Sequence, residues 1–143
     1  MRVIIAAPRK SGSAQLRCLL AMAYGLKAPV SDAPSQATPE SVQTWLDESA
    51  DNSVATCDFA APLLADAARA AGVSVVAVIR HPYDLFLSNY EVAQQRASRN
   101  RDEPETAGAW AQLAGLDLTS TEVEEYARVS FGEELRWLRD WAD

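Results

Sequence analysis

Two short segments of the sequence combine cationic and hydroxyl side chains at a spacing suited to binding anions. The first is the continuous run of Arg9, Lys10, Ser11, Gly12, Ser13 and Ala14. In the second, Ser88 follows Arg80 by eight residues. Cationic side chains pair with phosphate-like groups, and hydroxyls donate hydrogen bonds to them. The sequence therefore predicts a ligand that carries two separated phosphate-like groups.

Each segment lies between an apolar run and a predicted helix. The first segment follows residues 3–7, and the second follows residues 73–79. Because residues 73–79 are apolar at nearly every position, they predict a central parallel strand that is buried on both faces. The helices that follow have free backbone N–H groups at their N-termini, which favour negative charge. The alternation of strands and helices predicts an α/β domain.

The two segments together resemble those of the nucleotide-dependent sulfotransferases, which use 3′-phosphoadenosine 5′-phosphosulfate (PAPS) as sulfuryl donor. In that family a first loop of the type Pro-Lys-Ser-Gly-Thr-Thr holds the 5′-phosphosulfate. A second motif, Arg-x-Pro with a serine eight residues after the arginine, binds the 3′-phosphate. Here residues 10–13 match the first motif, and Arg80, Pro82 and Ser88 match the second. The resemblance covers residues 1–95.

The resemblance implies a fold, a donor and an acceptor class. The fold is a P-loop-like three-layer α/β/α domain with a parallel sheet, which takes residues 1–143 as a single domain. PAPS is the donor, with no metal, and the acceptor is a hydroxyl or amine of a small molecule or carbohydrate. PAPS binding is assigned to residues 9–14 and to Arg80 with Ser88.

Lys10 is the candidate for stabilising the charge that develops on the leaving group. Sulfuryl transfer, like phosphoryl transfer, depends on positioning and on charge stabilisation, which a lysine beside the bridging oxygen supplies. The alternative for Lys10 is a solvated loop lysine. For the second segment, the alternative is that Arg80 pairs with a carboxylate such as Asp84 while Ser88 only packs.

The chain differs from the family at the general base. Many family members use a histidine on the strand before the second motif, and this chain has no histidine there. Aligning residues 54–59 with that strand puts Cys57 or Asp58 near the position of the family's histidine. Asp58 is the better candidate, because a carboxylate within hydrogen-bond reach can accept a hydroxyl proton. Its alternative role is helix capping. The single histidine, His81, lies inside the second motif and is interpreted as structural.

Family members have a further strand, a helix and a late basic segment that do not follow here, so the resemblance implies a truncated or minimal member. An alternative is therefore a noncatalytic nucleotide-binding or interaction module. A third hypothesis is an incomplete domain that another chain completes, which predicts self-association. A P-loop kinase is disfavoured because Lys10 precedes the glycine of its loop instead of following it.

Composition narrows the class of protein further. The net charge of −7 argues against a nucleic-acid partner, and no apolar run approaches the length of a membrane span. The N-terminus does not resemble a signal peptide, so a cytoplasmic protein is expected. Two cysteines and one histidine predict no metal, and Cys18 is expected to be a buried, inert thiol. Three tryptophans are expected to pack in the core or at an interface, and the alternative is that they line an acceptor cleft: Trp110, Trp137 and Trp141.

Helix boundaries follow from capping residues, prolines and glycines. Residues 53–57 predict a short strand, and residues 27–39 and 98–104 predict surface loops. Gly132 is expected to interrupt the last helix. Helices are predicted to start at Thr38 with Pro39, at Pro62, at Pro82 and at a capping box over residues 119–122. Helix ends are predicted at Gly25 and Gly72.

Overall fold

The structure is a computed structural model that describes residues 1–8, 10–28, 33–34, 36–59, 61–99 and 112–142, with only the backbone of residues 61, 96, 99 and 142. The chain divides into two compact units, one of residues 1–79 with 137–143 and the other of residues 80–136. The single sulfotransferase-like domain over residues 1–143 stays a prediction.

The first unit contains a parallel sheet of three strands, β1 (Arg2–Ala6), β2 (Ser53–Cys57) and β3 (Ser74–Ala77), in the order β2-β1-β3. The β-branched residues of β1 favour extended backbone. Mixed α/β structure with a parallel sheet is therefore confirmed. The sulfotransferase-type three-layer arrangement goes further than this and stays a prediction.

The prediction that residues 73–79 form a central strand buried on both faces was wrong. The central strand is β1, whereas β3 pairs with β1 on one side and has no strand partner on the other among the described residues. Val76 on β3 is 39% exposed. An apolar run shows that a strand is suitable for burial, but its position in the sheet depends on which strands pair with it.

Helices lie on both faces of this sheet: α1 (Ser13–Tyr24) on one, and α2 (Pro39–Glu48) with α3 (Ala61–Ala70) on the other. Alternate residues of β1 point to opposite faces, so Ile5 packs towards α1 while Ile4 packs in the cluster that contains α2 and α3. Burial of both faces explains why β1 is almost continuously apolar.

The predicted boundaries of these helices are confirmed where capping chemistry sets them. Gly25 adopts the left-handed conformation at φ 64°, and its N–H donates to the Ala21 carbonyl at the end of α1. Thr38 caps α2, since its side chain accepts from the Ser41 N–H and the Ser41 side chain accepts from the Thr38 N–H. Pro39 occupies the first turn of α2, as expected.

The second unit is built on α4 (Pro82–Arg99) and most of α5 (Thr121–Ala142). Pro82 begins α4, as predicted. The core of this unit is a cluster whose buried members are Phe86, Ala93, Leu113 and Val123. Side chains of α4 also fix the turn that precedes α5, because Tyr90 and Gln94 both donate to the Leu116 carbonyl.

Three expectations about α4 and α5 were wrong. The last helix passes through Gly132 without interruption, and α4 includes Ser98, which was expected in a loop. The capping box over residues 119–122 does not form, because Thr119 bonds to Asp117 and the Val123 N–H donates to the Ser120 hydroxyl instead. Residues 100–104 of the predicted loop lie outside the described residues.

Cys18 is exposed on α1, which contradicts its expected burial. It lies on the side of α1 away from the sheet, where Met22, one helical turn later, is 83% exposed. Trp137 and Trp141 pack against the core of the first unit, as the core alternative predicts. Trp110 lies outside the described residues. Within the described residues, no helix is both long and apolar enough to cross a membrane.

Candidate anion-binding site

The loop between β1 and α1 has an unusual backbone. Lys10 has φ 68° and Gly12 has φ 92°, so two residues of this short loop adopt positive φ. The Ser11 N–H donates to the Pro8 carbonyl at 3.2 Å, which closes the turn. In a turn of this kind, the N–H groups that are not used within the turn can face one point and form a concave anion site. Arg9, which was predicted to take part, lies outside the described residues.

The N-terminus of α1 adds further donors to this loop. Gly12 is the N-cap residue, so no side chain caps the first turn, and that turn contains no acidic residue. Ser13 and Ala14, both predicted nucleotide contacts, are the first two residues of the helix. The positive end of the helix dipole and the uncapped N–H groups favour an anion at this end.

The Ser11 hydroxyl oxygen is buried and has no hydrogen-bond partner among the described residues. Leaving a buried hydroxyl without a partner costs about 1–3 kcal/mol, so such a group suits a ligand that would pair with it. Ser13 is half-buried, and the Lys10 side chain is exposed. The predicted loop residues that the structure describes are therefore grouped at the start of one helix.

The carboxyl ends of the three strands lie at one edge of the sheet. Ala6 pairs with Ala77, and the Val78 N–H donates to the Ala6 carbonyl at 2.9 Å. On the other side, the Ala7 N–H donates to the Cys57 carbonyl at 2.9 Å. This is the edge at which ligands bind in open parallel sheets. The first loop begins there.

The second predicted segment, Arg80 to Ser88, belongs to the second unit. Arg80 is half-buried and precedes α4, and Ser88 is half-buried in the second turn of that helix. His81 is the N-cap residue of α4: its Nδ1 accepts from the Tyr83 N–H at 3.2 Å, and its carbonyl accepts from the Leu85 N–H. This capping contact agrees with the structural interpretation of His81.

The two candidates for the base differ in their surroundings. Cys57 is buried at the end of β2, and burial raises the pKa of its thiol to about 11. A thiol with that pKa stays protonated near neutral pH and is a poor base. Asp58 follows β2 directly and is exposed. Asp58 is thus the candidate better suited to accept a proton.

The second unit has a groove that was not predicted from the sequence, with a volume of about 580 Å³. It lies along α5 and the turn before it. A signal was present in the sequence, since four lining residues recur at helical spacing, at positions 122, 126, 129 and 133. Within the described residues, the groove is lined by Gln112, Leu116, Glu122, Glu125, Tyr126, Val129, Ser130 and Glu133.

The described residues contain no group of three or more His, Cys, Asp or Glu side chains that could hold a metal ion. Searches against models of protein families, curated proteins and solved structures found no match for this chain.

Proposed function

We propose that this protein is a sulfotransferase that transfers the sulfuryl group of PAPS to a hydroxyl or amine acceptor. The proposal rests on the resemblance of the two segments to sulfotransferase motifs. One structural observation supports it most: the loop from Lys10 to Gly12, with its two positive φ angles, leads into a helix that no side chain caps. Such a loop suits a phosphosulfate group.

In the proposed reaction, the acceptor oxygen or nitrogen forms a bond to sulfur while the bond from sulfur to the bridging phosphate oxygen breaks. Lys10 stabilises the negative charge on that oxygen, with help from the Ser11 and Ser13 hydroxyls and from the N–H groups of the loop. Asp58 takes the acceptor proton. The products are the sulfated acceptor and adenosine 3′,5′-bisphosphate, to whose 3′-phosphate Arg80 and Ser88 are assigned.

The decisive measurement is release of adenosine 3′,5′-bisphosphate from PAPS with a panel of hydroxyl and amine acceptors. The Lys10→Ala variant is expected to lose about 100-fold or more in turnover while its circular dichroism is unchanged. Lys27→Ala removes another exposed lysine of the same unit and is the matched control, with turnover expected to match that of the unaltered protein. Unchanged turnover in Lys10→Ala would overturn the role of Lys10.

A second measurement tests the 3′-phosphate assignment. The protein is expected to bind adenosine 3′,5′-bisphosphate more tightly than AMP, and Arg80→Ala is expected to remove most of this difference, because a charge-assisted pair to the phosphate is lost. Equal affinity for the two nucleotides would overturn the assignment of Arg80 and Ser88.

The second candidate function is a nucleotide-binding module without turnover. Two observations favour it. The single histidine, His81, caps α4. Cys57, near the position of the family's base, is a buried thiol that stays protonated near neutral pH. This candidate predicts that nucleotide binds but that no acceptor yields product. If turnover occurs, Asp58→Asn is expected to lower kcat with little change in nucleotide affinity, and a normal rate would exclude Asp58 as the base.

A further inference from the structure

The groove of the second unit has an ordered distribution of charge along α5. Glu122, Tyr126, Val129 and Glu133 lie on one stripe of the helix, so a carboxylate stands at each end and two apolar side chains stand between them. Leu116, in the turn before α5, adds a third apolar side chain to the lining. The lining of the groove is therefore acidic at both ends and apolar in the middle.

The charged lining residues that the structure describes are all negative. Glu125 adds a third carboxylate beside Glu122, and the lining residues in the described part of the chain include no lysine or arginine. Burial raises the pKa of the Tyr126 hydroxyl, and the negative charges of Glu133 and Glu134 raise it further. An anionic ligand would be repelled here, whereas an ammonium group at either end would be attracted.

We propose that this groove binds an aliphatic chain with an ammonium group at each end, such as a long-chain diamine. Glu122 and Glu133 are eleven residues apart, which corresponds to about 16 Å along a helix. The methylene chain lies on Tyr126 and Val129, as the stem of a lysine lies on apolar surface, while the charged ends pair with the carboxylates. A volume of about 580 Å³ is in the range of small-molecule sites.

The two carboxylate ends of the groove fit a long diamine better than a monoamine, a neutral chain or a short diamine. A monoamine would leave one carboxylate end unpaired, and a neutral chain would leave both. A short diamine would reach only one end. Glu122 and Glu133 are exposed, so salt screens the attraction between their carboxylates and the ammonium groups. Binding of the diamine is therefore expected to weaken as ionic strength rises. This inference is independent of the proposed sulfotransferase activity.

The test is isothermal titration calorimetry of the full chain at low ionic strength. The probes are 1,4-diaminobutane, 1,8-diaminooctane, 1,12-diaminododecane, 1-aminooctane and 1,8-octanediol. Saturable binding is expected for the longer diamines, with roughly tenfold weaker binding of 1-aminooctane and none of the diol. The Glu122→Gln/Glu133→Gln variant is expected to bind the diamines roughly tenfold more weakly.

Glu91→Gln is the matched control, because Glu91 is an exposed glutamate on α4 of the same unit and does not line the groove. Circular dichroism checks that each variant is folded, and Val129→Ala, which keeps every charge, is expected to weaken diamine binding several-fold. Equal affinity for diamine and monoamine would overturn the proposal, as would unchanged binding in the Glu122→Gln/Glu133→Gln variant. Absence of saturable binding would also overturn it.

Discussion

Arg2, the first residue of β1, donates a hydrogen bond of 3.1 Å from its Nη1 atom to the backbone carbonyl oxygen of Leu46 in α2. Its Nη2 atom donates to the carbonyl oxygen of Ala71, directly after α3. Carbonyls at helix C-termini carry partial negative charge, and the Leu46 carbonyl accepts from the Ser49 N–H as well as from Arg2. One guanidinium therefore joins the central strand to the ends of both helices on the same face of the sheet.

Replacing Arg2 by alanine is expected to lower the free energy of unfolding by about 2 kcal/mol, because two partly buried carbonyls lose a charged donor. Urea unfolding followed by circular dichroism measures this change. Arg69→Ala is the control: Arg69 pairs with Asp66, but their side chains are 78% and 87% exposed. The control is expected to change stability by less than about 0.5 kcal/mol. Similar losses in both variants would contradict the capping role of Arg2.

Gly12→Ala is expected to destabilise the protein by about 1–2 kcal/mol and to weaken nucleotide binding, because φ 92° is unfavourable for a residue with a Cβ atom. The added Cβ would also lie 3.3 Å from the Gln15 side-chain oxygen. Gly132→Ala is the opposite case. It lies inside α5 with nothing within 4 Å of an added Cβ, so it is expected to stabilise the helix by about 0.5–1 kcal/mol. Thermal unfolding and nucleotide titration distinguish the two variants.

The two thiols are expected to react at very different rates in the folded protein. Cys18 is exposed, whereas Cys57 is buried and its pKa is raised to about 11, so about a thousandth of Cys57 is thiolate at pH 8. Titration with a disulfide reagent at pH 8 is expected to modify one thiol rapidly in the folded protein and both thiols in urea. Cys18→Ser removes the rapid phase. A rapid phase that persists in this variant would show that Cys57 is accessible.

Glu134→Gln is expected to stabilise the protein near pH 7. Burial, and then the charge of Glu133, raise the pKa of the Glu134 carboxyl, and its Oε2 atom has no partner among the described residues. A raised pKa in the folded state means that the charged form opposes folding. The unaltered protein therefore loses stability as pH rises from the ordinary carboxyl pKa, which Glu134 has in the unfolded chain, to the higher pKa that it has in the folded protein.

The gain from Glu134→Gln should accordingly shrink as the pH falls below the ordinary carboxyl pKa, where glutamate is neutral in both states. Urea unfolding at a series of pH values measures this dependence. Glu91→Gln, at an exposed position of α4, is expected to leave stability within about 0.5 kcal/mol at each pH. A gain from Glu134→Gln that does not vary with pH would point to a cause other than the charge.

His81→Ala is expected to lower the free energy of unfolding by about 0.5–1 kcal/mol, because the Tyr83 N–H loses its acceptor at the start of α4. His81→Asn supplies another acceptor at the same position and is expected to restore stability. In the proposed sulfotransferase reaction, both variants are expected to retain turnover. Loss of turnover in both, with stability intact in the asparagine variant, would assign His81 a catalytic role.

The sequence by itself determined the features that depend on neighbouring residues. Gly25 and Thr38 mark helix ends through their own backbone and side-chain contacts, and Pro82 begins α4 for the same local reason. The loop from Lys10 to Ser13 likewise precedes a helix as predicted, because a short polar segment with a glycine follows an apolar strand. Such features do not require knowledge of the rest of the chain.

Only the tertiary structure decided which surfaces are covered. Residues 74–77 are as apolar as a central strand, but β1 takes that position because it pairs with a strand on each side. Cys18 lies among leucines, yet it is exposed because only the opposite side of α1 packs on the sheet. Arg2 bonds to the carbonyls of Leu46 and Ala71, which lie 44 and 69 positions later in the sequence. Burial and long-range contacts depend on the whole packed chain, and the hydrophobic pattern of one segment does not specify them.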